Sequence, residues 1–204
     1  MKTLIVIDIQ NDFCPGGALA IAEGDVIIPI INQLMPKFDL VIATQDWHPD
    51  NHQSFASQHP GKNVYDLIDL NGIRQVLWPD HCVAGCPGAD FHKDLDIRHI
   101  RHIVRKGSHR NIDSYSAFYE NDGATPTGLT GLLKGLKIDS LAIAGLATDY
   151  CVLYSALDAL REGFHTTIIR DACRGVNIPI GNVGKALQKI EAAGGKIIDS
   201  ANLL

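Results

Sequence analysis

Short runs of branched apolar residues alternate with longer segments of helical period along most of this chain. Strands and helices that alternate in this order are typical of βαβ units and a parallel sheet. We therefore expect an α/β fold with three layers, α/β/α, and a doubly wound, mostly parallel sheet. The predicted strands are Leu4–Ile7, Leu40–Thr44, Ile100–Arg105, Ser140–Ala144, Thr166–Ile169 and Lys196–Ile198, and the predicted helices are Val26–Met35, Pro126–Leu136, Asp149–Glu162 and Ile180–Ala192.

The periodicity stops between Gln45 and about His99, where the chain is rich in Pro, Gly, His, Asp and Asn. A compact domain seldom contains so long a connection unless the connection has a function. Short helical turns are expected within it, for example around Tyr65–Leu70. We therefore predict one domain over residues 1–204, with a functional loop at about 45–99.

Length, charge and the distribution of apolar residues limit the classes of function that this protein can have. A chain of 204 residues with 46% hydrophobic content can bury one good core. The formal net charge of -5 and the lack of a basic run argue against a nucleic-acid partner. The apolar stretch that begins at Leu4 is interrupted by Asp8, and no run approaches the roughly 18 apolar residues that span a membrane. We expect a soluble, cytoplasmic protein, with its five scattered cysteines as reduced thiols.

Three reactive side chains follow predicted strands. Asp8 directly follows the first strand, Lys106 follows the third, and Cys151 follows the fourth across a short turn. Ligands of open α/β sheets bind outside the carboxyl ends of the strands. If these strands are parallel neighbours, the three side chains meet at one rim of the sheet.

Each of these residues also has an ordinary interpretation, since an aspartate can cap a helix, a lysine can be solvated and a cysteine is often a small buried hydrophobe. Together they suit acyl transfer through a thioester. A helix start and the Lys106 ammonium are expected to lower the pKa of Cys151, and Asp8 can take the proton. Backbone N–H groups in the turn 147–151 are expected near the developing oxyanion.

The long loop carries a candidate metal site. Asp46 and His48 are two residues apart, so extended backbone points both side chains to the same side. His81 is a candidate third ligand, with His52 and His59 as nearer competitors. Two or three histidines with one carboxylate suit a divalent ion that keeps open positions for water. Nine histidines in one chain also make chance neighbours easy.

Six ordered motifs, spread over nearly the whole chain, together resemble the nicotinamidase/pyrazinamidase family within the isochorismatase-like cysteine hydrolases. They are Asp8–Phe13, Thr44–Pro49 with Ser54–Phe55, Trp78–Cys82, Lys106–Gly107, Ser114–Phe118 and Gly145–Val152.

The resemblance implies an isochorismatase-like hydrolase that converts nicotinamide to nicotinic acid and ammonia in NAD salvage, and also pyrazinamide to pyrazinoic acid. It implies one divalent ion, with zinc first and iron or manganese as alternatives, that meets the pyridine nitrogen. The implied residues are Asp8, Lys106 and Cys151 as the catalytic triad, Asp46, His48 and His81 as metal ligands, Phe13, Trp78 and Tyr115 as the aromatic slot, the amides of Ala147 and Cys151 as the oxyanion hole, and Leu146–Ala147 as a cis peptide.

Several alternatives stay open at this point. The fourth metal ligand is either His52 or water, and Phe118 is better explained as core. Isochorismatases and N-carbamoyl amidases share the triad but generally lack the metal set, whereas a non-catalytic metal or redox module lacks a triad member. The expected partners are small amides, with no nucleic acid and no membrane. A homo-oligomer is compatible with the sequence, which does not set the oligomeric state.

Overall fold

The computed structural model describes residues 1–203, and within them one parallel sheet of six strands forms the centre of the molecule. Its strand order is β5-β2-β1-β6-β7-β8, and a separate antiparallel hairpin pairs β3 with β4. The strands are β1 (Thr3–Ile7), β2 (Leu40–Asp46), β3 (Leu67–Leu70), β4 (Ile73–Val76), β5 (His102–Lys106), β6 (Ser140–Leu146), β7 (His165–Arg174) and β8 (Lys196–Ile198).

Helices cover both faces of the sheet, which confirms the three-layer α/β/α prediction. They are α1 (Ile28–Leu34), α2 (Leu129–Gly135), α3 (Leu153–Arg161) and α4 (Asn182–Ala192). The buried side chains of α1 join one apolar core, and those of α2, α3 and α4 join the other. Short 3-10 turns occur in the connections, and Thr148–Val152 forms a π-helical turn that leads into α3.

Strand β1 shows why its sequence is an unbroken apolar run. Leu4 and Val6 lie in the core on one face of the sheet, whereas Ile5 and Ile7 lie in the core on the other face. All four side chains are fully buried. A strand covered on both faces has no side that faces solvent. Apolar and polar residues therefore do not alternate along it, as they do along a strand with one exposed face. Burial of each side chain contributes roughly 1.5–3 kcal/mol to folding.

The sheet topology creates a crevice beside β1. From β1 the chain first adds β2 and later β5 on one side, and then crosses to add β6 on the other side. Such a reversal is the place where open α/β sheets bind ligands, at the carboxyl ends of the strands. Asp8 directly follows β1 and Cys151 follows β6, so both side chains border this crevice.

The hairpin corrects one prediction. Residues Tyr65–Leu70 were expected to contain helical turns, but Leu67–Leu70 is a strand paired with Ile73–Val76. Between the two strands, Asn71 and Gly72 have positive φ angles of 55° and 83°. Asn-Gly favours such a tight hairpin turn, and the exposure of β3 alternates with a period of two residues. This dipeptide was the signal that the helical interpretation overlooked.

Strand β7 runs five residues beyond its predicted end at Ile169, to Arg174. The extension pairs with β6 after a register shift, which brings Cys173 opposite Gly145. The polar pair Arg170-Asp171 interrupts the apolar run, so local hydrophobicity could not predict it. The other predicted strands and helices are confirmed, with boundaries displaced by a few residues.

Two expectations from composition also bear on the structure. Over residues 1–203, no helix is both long enough and apolar enough to cross a membrane. In the same residues all five cysteines are free thiols, as expected, and Cys86 is the exposed one.

Phe118 is fully buried and packs against Phe164, which confirms its assignment to the core.

Gly145 allows β1 and β6 to approach each other, and its replacement by alanine should destabilise the fold. Gly145 has φ +128°, and an added Cβ would collide with the backbone N and O of Ile7, its register partner. We expect Gly145→Ala to lower the free energy of unfolding by at least about 3 kcal/mol, measured in urea. Gly135→Ala is the control, because a Cβ there meets nothing within 4 Å. The control should stabilise the protein by up to about 1 kcal/mol, and equal effects of both changes would contradict this explanation.

Candidate active site

The three side chains at the strand ends meet around the ammonium group of Lys106. Its Nζ lies 2.9 Å from Oδ2 of Asp8 and 3.4 Å from Sγ of Cys151. It also donates to the carbonyl of Ser114 at 3.0 Å. Asp8 and Lys106 are fully buried, and Cys151 is 6% exposed. The structure therefore brings together an acid–base group, a cation and a thiol in a site nearly closed to solvent.

Asp8 is held in an unusual backbone conformation at the end of β1. Its φ is +49°, and its N–H donates to Oγ1 of Thr44 at 3.2 Å. The Thr44 hydroxyl donates in turn to Oδ1 of Asp8 at 2.5 Å. Burial raises the pKa of Asp8, against the opposing effects of Lys106 and Thr44. A carboxylate whose pKa is raised is a better proton acceptor, which suits a general base.

The ionisation of Cys151 differs from the sequence-based expectation. Burial raises the pKa of the Cys151 thiol well above its usual value, and Lys106 only partly offsets this rise. The carboxylates of Asp8 and Asp46 raise it further. The expected lowering of the Cys151 pKa is therefore wrong for these surroundings. The thiol keeps its proton at rest, and the neighbouring carboxylate can remove it during attack.

Asp46 joins this trio to a second group of residues. It is the register partner of Lys106 across β2 and β5, and its Oδ1 accepts a short hydrogen bond from Nζ of Lys106. Burial disfavours the charged forms of both, but Asp46 and Asp8 hold the pKa of Lys106 well above its usual value. Lys106 and His48 hold the pKa of Asp46 well below its usual range. The pair is therefore an ammonium and a carboxylate.

Asp46, His48 and His81 present ligand atoms that all lie within 4.8 Å of one another. Oδ2 of Asp46 is 3.6 Å from Nε2 of His48 and 3.8 Å from Nε2 of His81. The Nδ1 atoms bond to the carbonyls of Gly107 and Pro79, each at 2.8 Å. A carbonyl can only accept, so both Nδ1 atoms carry a proton, and both Nε2 atoms are directed toward Asp46. This is the arrangement of metal-binding histidines held by carbonyl groups.

The two competing histidines lie outside this group, although His52 forms a second candidate group with His48 and Asp113. His52 Nδ1 bonds to the hydroxyl of Ser54 at 2.7 Å, and its Nε2 lies 3.3 Å from the carbonyl of Ile112. His59 Nε2 bonds to the carbonyl of Gln53 at 2.8 Å. Neither belongs to the group formed by Asp46, His48 and His81, although His52 is stacked beside His48 with ring centroids 4.4 Å apart.

Aromatic side chains line the cavity beside these groups. The cavity is bordered by Phe13, Trp78 and Tyr115, and also by Asp46, His81, Ala147 and Cys151. Tyr150 also lines it, with its ring centroid 4.9 Å from Trp78 and 5.4 Å from Tyr115. Sequence reasoning missed Tyr150, although its position beside Cys151 was a usable signal. The result is a narrow apolar slot that suits a flat ring.

The turn that carries Cys151 begins with a cis peptide between Leu146 and Ala147. The carbonyl of Ala147 accepts from the N–H groups of Tyr150 and Val152, each at 3.1 Å. The carboxylate of Asp149 accepts from the N–H groups of residues 176 and 177 at 2.9 and 2.8 Å. Cys151 thus lies in the π-helical turn that leads into α3, close to the predicted helix start, and Ala147 also lines the cavity.

Glu120 is a further buried group near Lys106 that sequence reasoning missed, because nothing in its local sequence marks it. Burial raises its pKa to about 7, although the ammonium of Lys106 opposes the rise. Within the described part of the chain, its Oε2 has no hydrogen-bond partner.

Stability should therefore depend on pH through Glu120. In the folded state this carboxyl keeps its proton to about pH 7, whereas the unfolded chain loses it near the ordinary glutamate pKa of 4.5. The folded state binds more protons in this window, so stability falls as the pH rises. Between about pH 5 and pH 8, we expect the wild type to lose on the order of 1–3 kcal/mol relative to Glu120→Gln, measured by urea unfolding. Parallel pH profiles of the two proteins would contradict this assignment.

Comparison with known proteins identifies the family. Residues 2–202 match the model of the isochorismatase domain. The chain is 51% identical to the nicotinamidase of Acinetobacter baylyi, over 98% of this chain and 94% of the relative. It is 44% identical to the nicotinamidase of Escherichia coli, over 98% of this chain and 96% of the relative.

Solved structures agree with these relatives. An Acinetobacter baumanii nicotinamidase/pyrazinamidase superposes with a TM-score of 0.97 at 51% identity, covering 100% of this chain and 98% of that chain. Yeast nicotinamidase bound to the inhibitor nicotinaldehyde gives 0.91 at 31% identity, covering 98% and 100%. The pyrazinamidase of Pyrococcus horikoshii in complex with zinc gives 0.79 at 38% identity, covering 97% and 98%. The fold, the site and these likenesses together show that the chain belongs to the nicotinamidase/pyrazinamidase family of isochorismatase-domain hydrolases.

Proposed function

We propose that this protein hydrolyses nicotinamide to nicotinic acid and ammonia, and pyrazinamide to pyrazinoic acid, in the salvage of nicotinamide toward NAD. The observation that carries the proposal is the contact of Lys106 with both Asp8 and Cys151 on the wall of an aromatic slot. The nicotinamidase relatives and the family membership support the choice of substrate.

The first half of the proposed reaction makes a thioester. Sγ of Cys151 attacks the amide carbonyl carbon while Asp8 takes the thiol proton, and the C=O π electrons move to the oxygen. The amide N–H groups of Ala147 and Cys151 are the proposed donors to this oxyanion. When the tetrahedral intermediate collapses, the C–N bond breaks and Asp8 returns the proton to the nitrogen, so ammonia leaves.

The second half returns the enzyme to its starting state. A water molecule attacks the thioester carbon, and Asp8 accepts one of its protons. The C–S bond then breaks, the proton passes to Sγ of Cys151, and the acid is released. Lys106 stays protonated throughout, because Asp46 and Asp8 hold its pKa well above the usual value. Its role is to offset the charge that appears on the sulfur and on Asp8 in turn.

Asp46, His48 and His81 fit a divalent metal ion. His48 Nε2 is buried without a hydrogen-bond partner among residues 1–203 and faces the Asp46 carboxylate. Two imidazole nitrogens and one carboxylate suit zinc, with iron or manganese as alternatives. The zinc complex of the Pyrococcus horikoshii relative supports this choice. A bound ion would supply Lewis-acid binding of the pyridine nitrogen, which would orient the ring in the slot.

The direct test is ammonia release from nicotinamide by the purified protein, with nicotinic acid identified chromatographically. The proposal predicts stoichiometric formation of both products and strong inhibition by nicotinaldehyde, whose carbonyl carbon a thiol can attack reversibly. If the protein hydrolyses other amides but not nicotinamide, the proposed substrate is wrong, whereas the proposed reaction, amide hydrolysis, still stands.

Loss of the metal should reduce the preference for nicotinamide over benzamide more than it slows amide hydrolysis. Benzamide keeps the amide but lacks the ring nitrogen, so it should be a poor substrate for the wild type. In His48→Ala stripped of metal, the ratio of kcat/KM for nicotinamide to that for benzamide should fall at least about tenfold, which corresponds to the loss of one polar contact.

Elemental analysis and the two kcat/KM values decide the outcome. His165→Ala is the matched control, because this histidine is exposed at the start of β7. A metal-free wild type that stays fully active in excess chelator would show that the metal assignment is wrong. If metal is present and the ratio survives in His48→Ala, the aromatic slot alone selects the ring.

A further inference from the structure

The β3–β4 hairpin sends one polar side chain into the wall of the slot. Gln75 lies on β4 and is only 1% exposed. Its Nε2 lies 2.7 Å from Oδ2 of Asp113, 2.8 Å from the carbonyl oxygen of Val76 and 3.2 Å from the hydroxyl of Tyr115, so its two hydrogens are shared among three acceptors. Both Asp113 and Tyr115 line the slot. One amide therefore joins the hairpin to two slot residues that follow β5.

The surrounding partners fix which way the Gln75 amide points. A carboxylate only accepts, so the NH2 group must face Asp113. On the other side, Oε1 accepts from the side-chain amide of Asn121 at 3.4 Å. The Trp78 indole Nε1 can only donate, and it donates to the Tyr115 hydroxyl at 3.1 Å. The Tyr115 oxygen thus accepts from the indole and also contacts the Gln75 amide at 3.2 Å, which ties the indole of Trp78 to the same network.

We propose that Gln75 is a positioning residue for the substrate slot: its amide holds Asp113 and Tyr115 and, through Tyr115, sets the orientation of Trp78. Within the described residues, the hydrogen bonds of Gln75 do not include Asp8, Lys106 or Cys151. A change at Gln75 should therefore alter ring binding and leave the chemical steps largely intact. The kinetic part of this inference rests on the proposed function.

The test exchanges donor and acceptor between two positions. Gln75→Glu conserves shape but sets a second carboxylate against Asp113. Asp113 accepts from the Gln75 amide and from the N–H of Ser114, so Asp113→Asn alone sets its NH2 group against one of these two donors. In the double variant, the new amide at position 113 can donate to the new carboxylate at position 75. The Tyr115 hydroxyl can also donate to that carboxylate while it still accepts from Trp78.

Recovery in the double variant should be partial, because the carbonyl of Val76 loses its donor whenever position 75 carries a carboxylate. The control is Gln188→Glu, which makes the same chemical change at an exposed position on α4.

The position of Trp78 can be followed without any substrate. The protein has two tryptophans, so its ¹H–¹⁵N spectrum holds two indole N–H signals, which Trp47→Phe assigns. The Trp78 signal should shift and exchange faster with solvent in Gln75→Glu, and move back toward the wild-type position in the double variant. Gln188→Glu should leave it unchanged.

Kinetics with nicotinamide test the consequence for binding. In Gln75→Glu, KM should rise at least about tenfold with kcat within about threefold, as expected for loss of a buried hydrogen bond to a charged group. In the double variant, KM should fall back at least about threefold, because contacting pairs are not additive.

Three results would overturn the inference: an unmoved Trp78 signal in Gln75→Glu, a double variant as impaired as the two single changes combined, or a fall in kcat that matches the rise in KM. Failure of the wild type to hydrolyse nicotinamide would reject the proposed function instead. The indole signals would still decide the role of Gln75.

Discussion

Replacing Cys151 by alanine should reduce nicotinamide turnover by at least about a thousandfold, the loss expected when a covalent catalyst is removed. The Cys151 sulfur is the nucleophile of the proposed reaction, and water alone must then attack an unactivated amide. The fold should persist, since the change removes one small side chain near a cavity. Bound metal should also persist, because Asp46, His48 and His81 are untouched.

The control for this experiment is Cys173→Ala. Cys173 is also buried, at 5% exposure, and lies on β7 opposite Gly145. It should lose no more than a fewfold in activity, because it is not among the residues that line the slot. Nicotinaldehyde should form a reversible thiohemiacetal, seen by native mass spectrometry of the intact protein, in Cys173→Ala but not in Cys151→Ala. An adduct in Cys151→Ala, or activity above a thousandth of wild type, would assign the nucleophile elsewhere.

Replacing Lys106 by methionine should lower kcat/KM by about a hundredfold or more. The ammonium contacts Asp8, Asp46 and Cys151, and its loss leaves two buried carboxylates beside the thiol. Without this cation the pKa of Cys151, already raised by burial, should rise further. Loss of one partner from a buried ion pair also costs about 3–5 kcal/mol of stability.

Iodoacetamide alkylation of Cys151, followed against pH on folded protein, separates these effects. The alkylation profile of Lys106→Met should move to higher pH than that of the wild type. Lys134→Met is the control, since Lys134 is an exposed lysine paired with Glu162, and such pairs contribute about 1 kcal/mol or less. An unchanged alkylation profile in folded Lys106→Met would exclude Lys106 from control of the thiol.

The sequence was enough to predict the architecture and the convergence of Asp8, Lys106 and Cys151. Both follow from a local rule: an apolar run marks a buried parallel strand, and the residue after it lies at the sheet edge where ligands bind. The grouping of Asp46 with His48 also came from local geometry, since residues two apart in extended chain share a side. His81, 33 residues beyond His48, required the family motif.

Other features depend on packing that no short segment encodes. The resting state of Cys151 was predicted wrongly because a helix start and a lysine are visible in the sequence, whereas the depth of burial is not. Gln75 and Asp113 are 38 residues apart, and their contact exists only because the hairpin folds over the loop after β5. The hairpin itself was predictable, because the dipeptide Asn71-Gly72 is visible in the sequence and favours a tight turn between two strands.

The separate hairpin also affects how such enzymes diversify. Strands β3 and β4 pair with each other, and Gln75 on β4 contacts the slot residues Asp113 and Tyr115, while the reacting groups stand at the ends of central-sheet strands. The hairpin thus contacts the slot from a segment that carries none of the reacting groups, whereas Tyr150, which also lines the slot, is next to Cys151. Because lengthening a surface turn costs little free energy, insertions at residues 71 and 72 should leave Asp8, Lys106 and Cys151 undisturbed. Libraries that vary the hairpin alone are therefore the economical starting point for moving this catalyst to other aromatic amides.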